Sequence, residues 1–287
     1  MSTLLKIEFQ VNAEQADICS TFLSPKVPHG WEETPLGQDA MLFRIFLEDH
    51  PLGMELMREI EARFPECGIR YAEQEAEQWA MAWKDFFNPI ACGERFEILP
   101  PWMSGEGHDG MTHIVIEPKM AFGTGHHPTT SLCLETIGDV AKRGIIKKGM
   151  EFLDLGTGSG ILGIGLCKLG LNGIGLDIDP QAIPCAQENL EINHVDDSMK
   201  LAVGTIDSLR PDHVFDLVVA NILSGPLIEM AGDILAHVKP GGVLVLSGIL
   251  NEQAKAVAAA YDRRGIGMPE ITAQGEWVVL VWDKVEK

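Results

Sequence analysis

Apolar positions recur with two different periods along the first 76 residues. Residues 4–11 alternate Leu5, Ile7, Phe9 and Val11 with Lys6, Glu8 and Gln10, the period of a half-buried strand. Asn12 is a candidate N-cap for a helix over 13–23. A short strand is expected at 31–34 and a longer one at 40–47, with Met41, Phe43, Ile45 and Leu47 on one face. Residues 52–64 return to helical spacing through Leu52, Leu56, Ile60 and Phe64, and 68–73 read as a closing strand. The order βαββαβ predicts a small α+β ferredoxin-like domain over 1–76. Residues 75–87 then place Trp79, Trp83 and Phe87 at i, i+4 and i+8, one face of a helix whose aromatics read as inter-domain packing. Asn88-Pro89 ends that helix, which serves as a linker over 77–90.

A second domain is expected over 91–287. Strands at 95–99 and 112–117 flank Pro100-Pro101 and a loop at 105–110. From Pro128 helices and strands alternate: helix to 143, strand 151–155, helix 160–169, strand 173–177, helix 180–192 and strand 199–203. Strand 215–220, helix 225–237, strand 242–247 and helix 251–264 follow, and a hairpin at about 269–273 and 276–282 closes the chain. Alternating βα units with a final hairpin predict an α/β, doubly wound, Rossmann-like sheet with an antiparallel edge. A ligand would sit beyond the carboxyl ends of its central strands.

The chemistry concentrates at 151–180, EFLDLGTGSGILGIGLCKLGLNGIGLDIDP. Gly156, Gly158 and Gly160 form a turn in which no Cβ blocks close approach of a ligand. Asp177 ends the next strand, where a carboxylate can accept both hydroxyls of a ribose. The run from Gly158 to Gly163 also spells the dinucleotide fingerprint. Asp154, two residues before the first glycine, points elsewhere: it would repel a pyrophosphate and suits a ligand with an ammonium group, such as the methionine end of S-adenosylmethionine. Gly163 falls inside the helix, where it can serve close packing alone. Asn221 ends a buried strand and offers both a donor and an acceptor, able to hold an attacking nitrogen near a methyl group. Residues 117–130 form a glycine-rich loop entering a helix, with Thr129 or Thr130 near its N-cap. His126-His127 lacks an accompanying Cys/Asp/Glu cluster, so no metal is expected.

Composition narrows the partners. The net charge is −20, and residues 1–76 alone carry 6 basic and 14 acidic residues, a net of −8. A broadly negative surface argues against nucleic acid and anionic membrane, and favours a basic macromolecule or a cationic small molecule. Lys142, Arg143, Lys147 and Lys148 form the one basic cluster, read as a helix C-terminus complementing its dipole. The N-terminal segment predicts no signal peptide, and no apolar run is long enough to span a bilayer. Six scattered cysteines without a CxxC read as reduced, buried thiols of a cytoplasmic protein.

The segments AFGTGHHPTTSLCLET, DLGTGSGILGIG, GLDIDPQAI, VVANILSGPLI and KPGGVLVLSGIL, in this order, resemble the ribosomal protein L11 methyltransferase family. The likeness extends from about residue 79 to the C-terminus and includes WAMAWKDFFNPIACGERFEILPPW, similar to that family's linker region. It implies a ferredoxin-like recognition domain, a linker and a class I methyltransferase domain. It implies S-adenosylmethionine as cofactor and methylation of lysine or N-terminal amines of free ribosomal protein L11, a basic substrate, by a monomeric enzyme. By the same resemblance Thr130, Gly156, Asp177 and Asn221 contact the cofactor, and Phe122 and Gly123 belong to a covering loop. With the turn residues Asp154 and Gly158 these make the cofactor site; Asn221 and Phe122 are the candidate catalytic residues. The family's turn usually reads GCGSG, and here Thr157 replaces the cysteine. A methyltransferase of the same fold acting on another basic protein or on a small amine, a nicotinamide oxidoreductase and a non-catalytic S-adenosylmethionine-binding assembly factor are the alternatives.

Overall fold

The computed structural model describes residues 3–12, 15–23, 26–27, 31–37, 40–47, 50–75, 89–117 and 127–286. The chain divides into two compact units, Met1–Phe87 and Asn88–Lys287. The predicted aromatic helix with Trp79, Trp83 and Phe87 lies outside the described residues.

The first unit runs β1 (Thr3–Asn12), α1 (Ala16–Leu23), β2 (Glu32–Leu36), β3 (Ala40–Leu47), α2 (His50–Arg63) and β4 (Arg70–Glu75). Its sheet has the order β2-β3-β1-β4, and every pairing is antiparallel. The alternation in β1 sends Leu5, Ile7, Phe9 and Val11 inward, and the register sets Phe9 opposite Phe43 with stacked rings 5.3 Å apart. Two local expectations change. Asn12 ends β1 rather than capping α1, which starts at Ala16. Leu52 is exposed, and the buried face of α2 is Gly53, Leu56, Met57 and Ile60. A Cβ at Gly53 would stand 2.4 Å from Leu5 Cδ2, so the missing side chain lets α2 lie close on β1.

The second unit opens with three strands, β5 (Ile90–Cys92), β6 (Phe96–Leu99) and β7 (Thr112–Val115); β6 pairs antiparallel with β5 and parallel with β7. Then follow α3 (Pro128–Lys142), β8 (Glu151–Leu155), α4 (Ile161–Lys168), β9 (Asn172–Asp177), α5 (Ala182–Ile192), β10 (Met199–Val203) and β11 (Phe215–Asn221). The chain ends with α6 (Ser224–Glu229), α7 (Ala231–Ala236), β12 (Val238–Leu250), α8 (Ala254–Asp262), β13 (Glu270–Gln274) and β14 (Trp277–Trp282). The seven-stranded sheet has the order β10-β9-β8-β11-β12-β14-β13. Strands β8 to β12 are parallel, and β14 runs antiparallel to both neighbours.

Both sheet faces are buried, so the central strands carry apolar residues on both faces. Phe152, Leu217, Val219, Val243 and Val245 face one core, with α3 and α4; Leu153, Leu155, Val218, Ala220, Leu244 and Leu246 face the other, with α6, α7 and α8. The single helix expected at 225–237 is two, because Met230 adopts φ −85°, ψ 8°, one residue beyond α6 and two before Gly232. In the basic cluster, Lys142 donates to Glu94 at 2.6 Å and Arg143 to Asp283 at 3.1 Å. The described cysteines are all free, five of them buried, and burial pushes the Cys133 thiol up to about 12. Among the described residues no helix is long and apolar enough to cross a membrane.

Candidate functional site

The strand order reverses at β8 and β11: β9 and β10 extend one way from β8, β12 the other way from β11. Loops leaving the carboxyl ends of such a pair separate and leave a crevice. The glycine turn leaves β8 there. Gly156, Gly158 and Gly160 have φ of 76°, 55° and 82°, a region costly for any residue with a Cβ. Gly156 N and Thr157 N both donate to Leu176 O of β9, at 2.8 and 2.9 Å. A Cβ on Gly156 would stand 2.3 Å from Ile222 Cγ2, so the exits of β8 and β11 meet at this glycine.

Asp154 lies beneath the turn and is fully buried. Its Oδ2 accepts from Thr157 Oγ1 at 2.8 Å and from Gly163 N at 3.0 Å; its Oδ1 has no hydrogen-bond partner among the described residues. Burial raises its pKa from the ordinary 3.8 to about 6, against the pull of those two bonds. Thr157 therefore does what a thiol at that position does more weakly: it donates a strong bond to the carboxylate. Gly163 has the packing role its helical position suggested, since a Cβ there would stand 2.4 Å from Met199 Sδ.

Asp177 ends β9 beside the turn. Its Oδ2 accepts from Gly158 N at 2.8 Å and its Oδ1 from Asp179 N at 3.0 Å. The two bonds fix the carboxylate plane while leaving further acceptor capacity on each oxygen. Asn221 ends β11 opposite Ser247 of β12, and its buried Oδ1 has no partner among the described residues. Helix α3 starts at the same sheet edge. His127 is its N-cap, with Pro128 in the first turn, and the His127 ring meets Trp277 edge-on at 4.7 Å. Trp277 pairs with Leu250, three residues past Ser247 on β12. Thr130, in the first turn of α3, is 1% exposed, and its Oγ1 also has no partner among the described residues.

Thr130, Asp154 and Asn221 thus present three buried oxygens unpartnered among the described residues, on the three elements around the switch point. Each costs on the order of 1–3 kcal/mol unless something meets it. The arrangement suits a ligand rich in hydrogen-bond donors, carrying a cationic group over Asp154 and hydroxyls over Asp177. Phe122 and Gly123 of the expected covering loop, with His126, lie outside the described residues. Among the described residues no group of three His, Cys, Asp or Glu side chains could hold a metal.

Two buried asparagines, Asn189 on α5 and Asn193 at its C-cap, escaped the sequence reading. Asn189 and Asn193 are 1% and 5% exposed and bond to β7, the residue after next beyond it, and the glycine turn. A signal was present: Ala182, Ala186, Asn189 and Asn193 continue one helical stripe, and polar amides on an apolar stripe need partners. Glu97 was missed similarly. It sits 1% exposed within Phe96–Leu99 and accepts from His108 N at 2.7 Å, with the His108 ring also bonded to it.

A family model described as ribosomal protein L11 methyltransferase (PrmA) matches residues 22–285. Among relatives of that name, the protein of Geotalea daltonii is 40% identical over 210 residues, covering 71% of this chain and 66% of its own length. That of Chloroflexus aurantiacus is 37% identical over 229 residues, covering 71% and 68%, and that of Shewanella halifaxensis 36% over 248 residues, covering 85% and 82%. The first two matches thus span about two thirds of the relatives' length. Among solved structures, a ribosomal protein L11 methylase from Lactobacillus delbrueckii subsp. bulgaricus superposes with TM-score 0.60 at 27% identity, over 68% of this chain and 97% of that one.

Proposed function

We propose, from the premise that this chain belongs to the ribosomal protein L11 methyltransferase family, that it transfers methyl groups from S-adenosylmethionine to amines of ribosomal protein L11. The observation that carries the reading is the set of oxygens on Thr130, Asp154 and Asn221, unpartnered among the described residues, around a left-handed glycine turn. A pyrophosphate would leave the buried carboxylate of Asp154 facing like charge. A cofactor with an ammonium, a sulfonium and a ribose meets the same site with donors and positive charge.

Bound S-adenosylmethionine supplies an electrophilic methyl group. Gly156 and Gly158 would let the backbone approach it, Asp177 would accept its ribose hydroxyls, and Thr130 would bond its polar end. Asp154 holds the turn through Thr157 and Gly163 and contributes negative charge from below. Asn221 Oδ1 would accept a hydrogen bond from the incoming amine and aim its lone pair, and Phe122 and Gly123 would cover the cofactor. Displacement requires that amine to be neutral. A lysine amine ionises near pKa about 10.4 in water, and a nearby cation with partial desolvation lowers that value. A dedicated base is therefore unnecessary, because the proton departs to water first and orientation supplies the rate.

The N-terminal unit, ferredoxin-like in its connectivity, serves substrate recognition, with 77–90 as the linker and 91–287 as the methyltransferase domain. The net charge of −20 supports a basic partner. Free ribosomal proteins are basic, whereas an assembled subunit presents anionic RNA, so the substrate is the protein before assembly. Lysine side chains, and the N-terminal amine, are the acceptor groups. The test is intact-mass measurement of the same organism's L11 after incubation with this protein and S-adenosylmethionine. Gains in whole-methyl steps on free L11, and slower gains on intact large subunits, are expected. An unchanged mass alongside demonstrated cofactor binding would overturn the substrate assignment and leave the cofactor site standing.

A further inference from the structure

Strand β7 is the edge of its three-stranded sheet, so its backbone groups are met by another strand on one side only. On that side Ile116 N, just past the strand, donates to Leu99 O at 2.9 Å. The alternate groups, at Val115 and Glu117, point to α5, where side chains stand in for a strand. Asn193 Oδ1 accepts from Val115 N at 2.9 Å and Asn193 Nδ2 donates to Val115 O at 2.5 Å, the double exchange of a sheet pair. Asn189 Oδ1 accepts from Glu117 N at 3.0 Å. The spacing works because four residues of helix rise about 6.0 Å and two residues of strand about 6.6 Å. Amides at i and i+4 therefore fall in register with alternate strand residues.

The two asparagines differ in their remaining bonds. Asn193 Nδ2 turns back to Asn189 O, at 2.8 Å. Asn189 Nδ2 reaches the other way, to Ser159 O within the glycine turn, at 2.9 Å. One buried amide thus joins the turn after β8 to the chain just beyond β7, two segments 42 residues apart in sequence. Asparagine is the side chain of this length that offers a donor to a carbonyl and an acceptor to an N–H together. Aspartate lacks the donor and leucine lacks both.

We propose that Asn189 is a positioning residue for cofactor binding: its amide orients the Ser159 carbonyl and so sets the shape of the glycine turn against the strand that ends at Glu117. The proposal rests on reading that turn as the S-adenosylmethionine site. Without the amide, the 159–160 peptide loses a buried partner and the turn relaxes toward conformations that fit the cofactor less well. Asn193 is the internal control, on the same helix face and comparably buried, with no bond to the turn in this structure.

Isothermal titration with S-adenosylhomocysteine on the wild type, Asn189→Ala and Asn193→Ala, alongside thermal unfolding and steady-state kinetics, tests it. Both variants should lose thermal stability to a similar degree. Asn189→Ala alone should bind at least fivefold more weakly and raise the KM for S-adenosylmethionine more than it lowers kcat. Equal affinity in the two variants, whether both unchanged or both reduced, would overturn the proposal. If Asn189→Ala does not fold, Asn189→Asp keeps an acceptor for Glu117 N and removes the donor to Ser159 O; wild-type affinity in that variant would overturn it equally. A wild type that binds no S-adenosylhomocysteine would instead refute the cofactor reading.

Discussion

Changing Asp154 to asparagine removes a charge that the ligand-free fold holds at a cost. The side chain has no exposed surface, one oxygen has no partner among the described residues, and burial lifts the pKa from 3.8 to about 6. At about 1.4 kcal/mol per pKa unit, that gap makes ionised Asp154 unfavourable by roughly 3 kcal/mol relative to the unfolded chain. Between pH 3.8 and 6 the folded state binds the proton more tightly than the unfolded state does. Its contribution is therefore largest below the unfolded pKa and is lost as pH rises through the folded one. Lowering the pH from 7.5 to 5 recovers about 1.4 kcal/mol of the total. Asparagine cannot titrate. It also leaves an Nδ2 donor unpartnered where Oδ1 stood, so its absolute stability is a poor guide and its pH profile a good one.

The assay is urea unfolding of the ligand-free wild type and Asp154→Asn at pH 5 and pH 7.5. Relative to wild type, the variant should be about 1.4 kcal/mol more stable at pH 7.5 than the same comparison gives at pH 5. The cofactor should reverse the balance, because a cation over the turn stabilises the ionised carboxylate. Wild-type affinity for S-adenosylhomocysteine should rise by up to about tenfold from pH 5 to pH 7.5, and the variant's should stay flat. Equal pH profiles of stability in the two proteins would refute the burial argument. An identical pH dependence of binding would refute the electrostatic role.

Two further substitutions separate the roles at the site. Asn221→Ala removes a buried Oδ1 that has no partner among the described residues, so its melting temperature should move little, while methylation of L11 falls about 100-fold; full turnover would rule out the amine-aligning role. Asp177→Ala deprives Gly158 N and Asp179 N of their acceptor as well as the ribose of its own, and should weaken S-adenosylhomocysteine at least about tenfold, the worth of one hydrogen bond to a charged group. Unchanged affinity by titration calorimetry would contradict the ribose assignment.

Much of the fold is legible because the apolar rhythm of each long element is set by its own residues. Strands at 151–155 and 199–203 fall at the expected bounds, and the antiparallel hairpin closes the sheet as its composition suggests. The departures are places where a distant segment decides. The three residues of β5 are too few to show a period and form only because β6 offers an edge. The helical stripe expected through Leu52, Leu56, Ile60 and Phe64 keeps its last three members, while Leu52 gives way to Gly53, which lies close on Leu5. The strand expected at 242–247 runs from 238 to 250, with a register irregularity between Leu246 and Ile249. At that irregularity Gly248 has φ 81°, and a Cβ there would stand 2.2 Å from Ile222 O, so the glycine serves the exit of β11 rather than its own strand.

The same distinction explains which site residues a sequence reveals. Gly156, Gly158, Asp154 and Asp177 stand out because their chemistry is local: a turn that needs left-handed backbone, a carboxylate before it and another at the next strand tip. Asn221 is visible only as a polar end to an apolar strand. Asn189 and Asn193 are marked only as amides on an apolar helical stripe, and the backbone groups they satisfy on the far side lie 72 and 78 residues away. Asp154 shows how one residue can carry a local structural task beside the one its position suggests. Its position before the glycines suggests direct contact with an ammonium group, and in the fold Thr157 and Gly163 hold its Oδ2 while Oδ1 has no partner among the described residues. A charge so placed still acts on a cation above it, because low-dielectric surroundings screen it little. Its geometric work is to fix the turn, which is why removing its titration, rather than a contact, is the perturbation that reports its role.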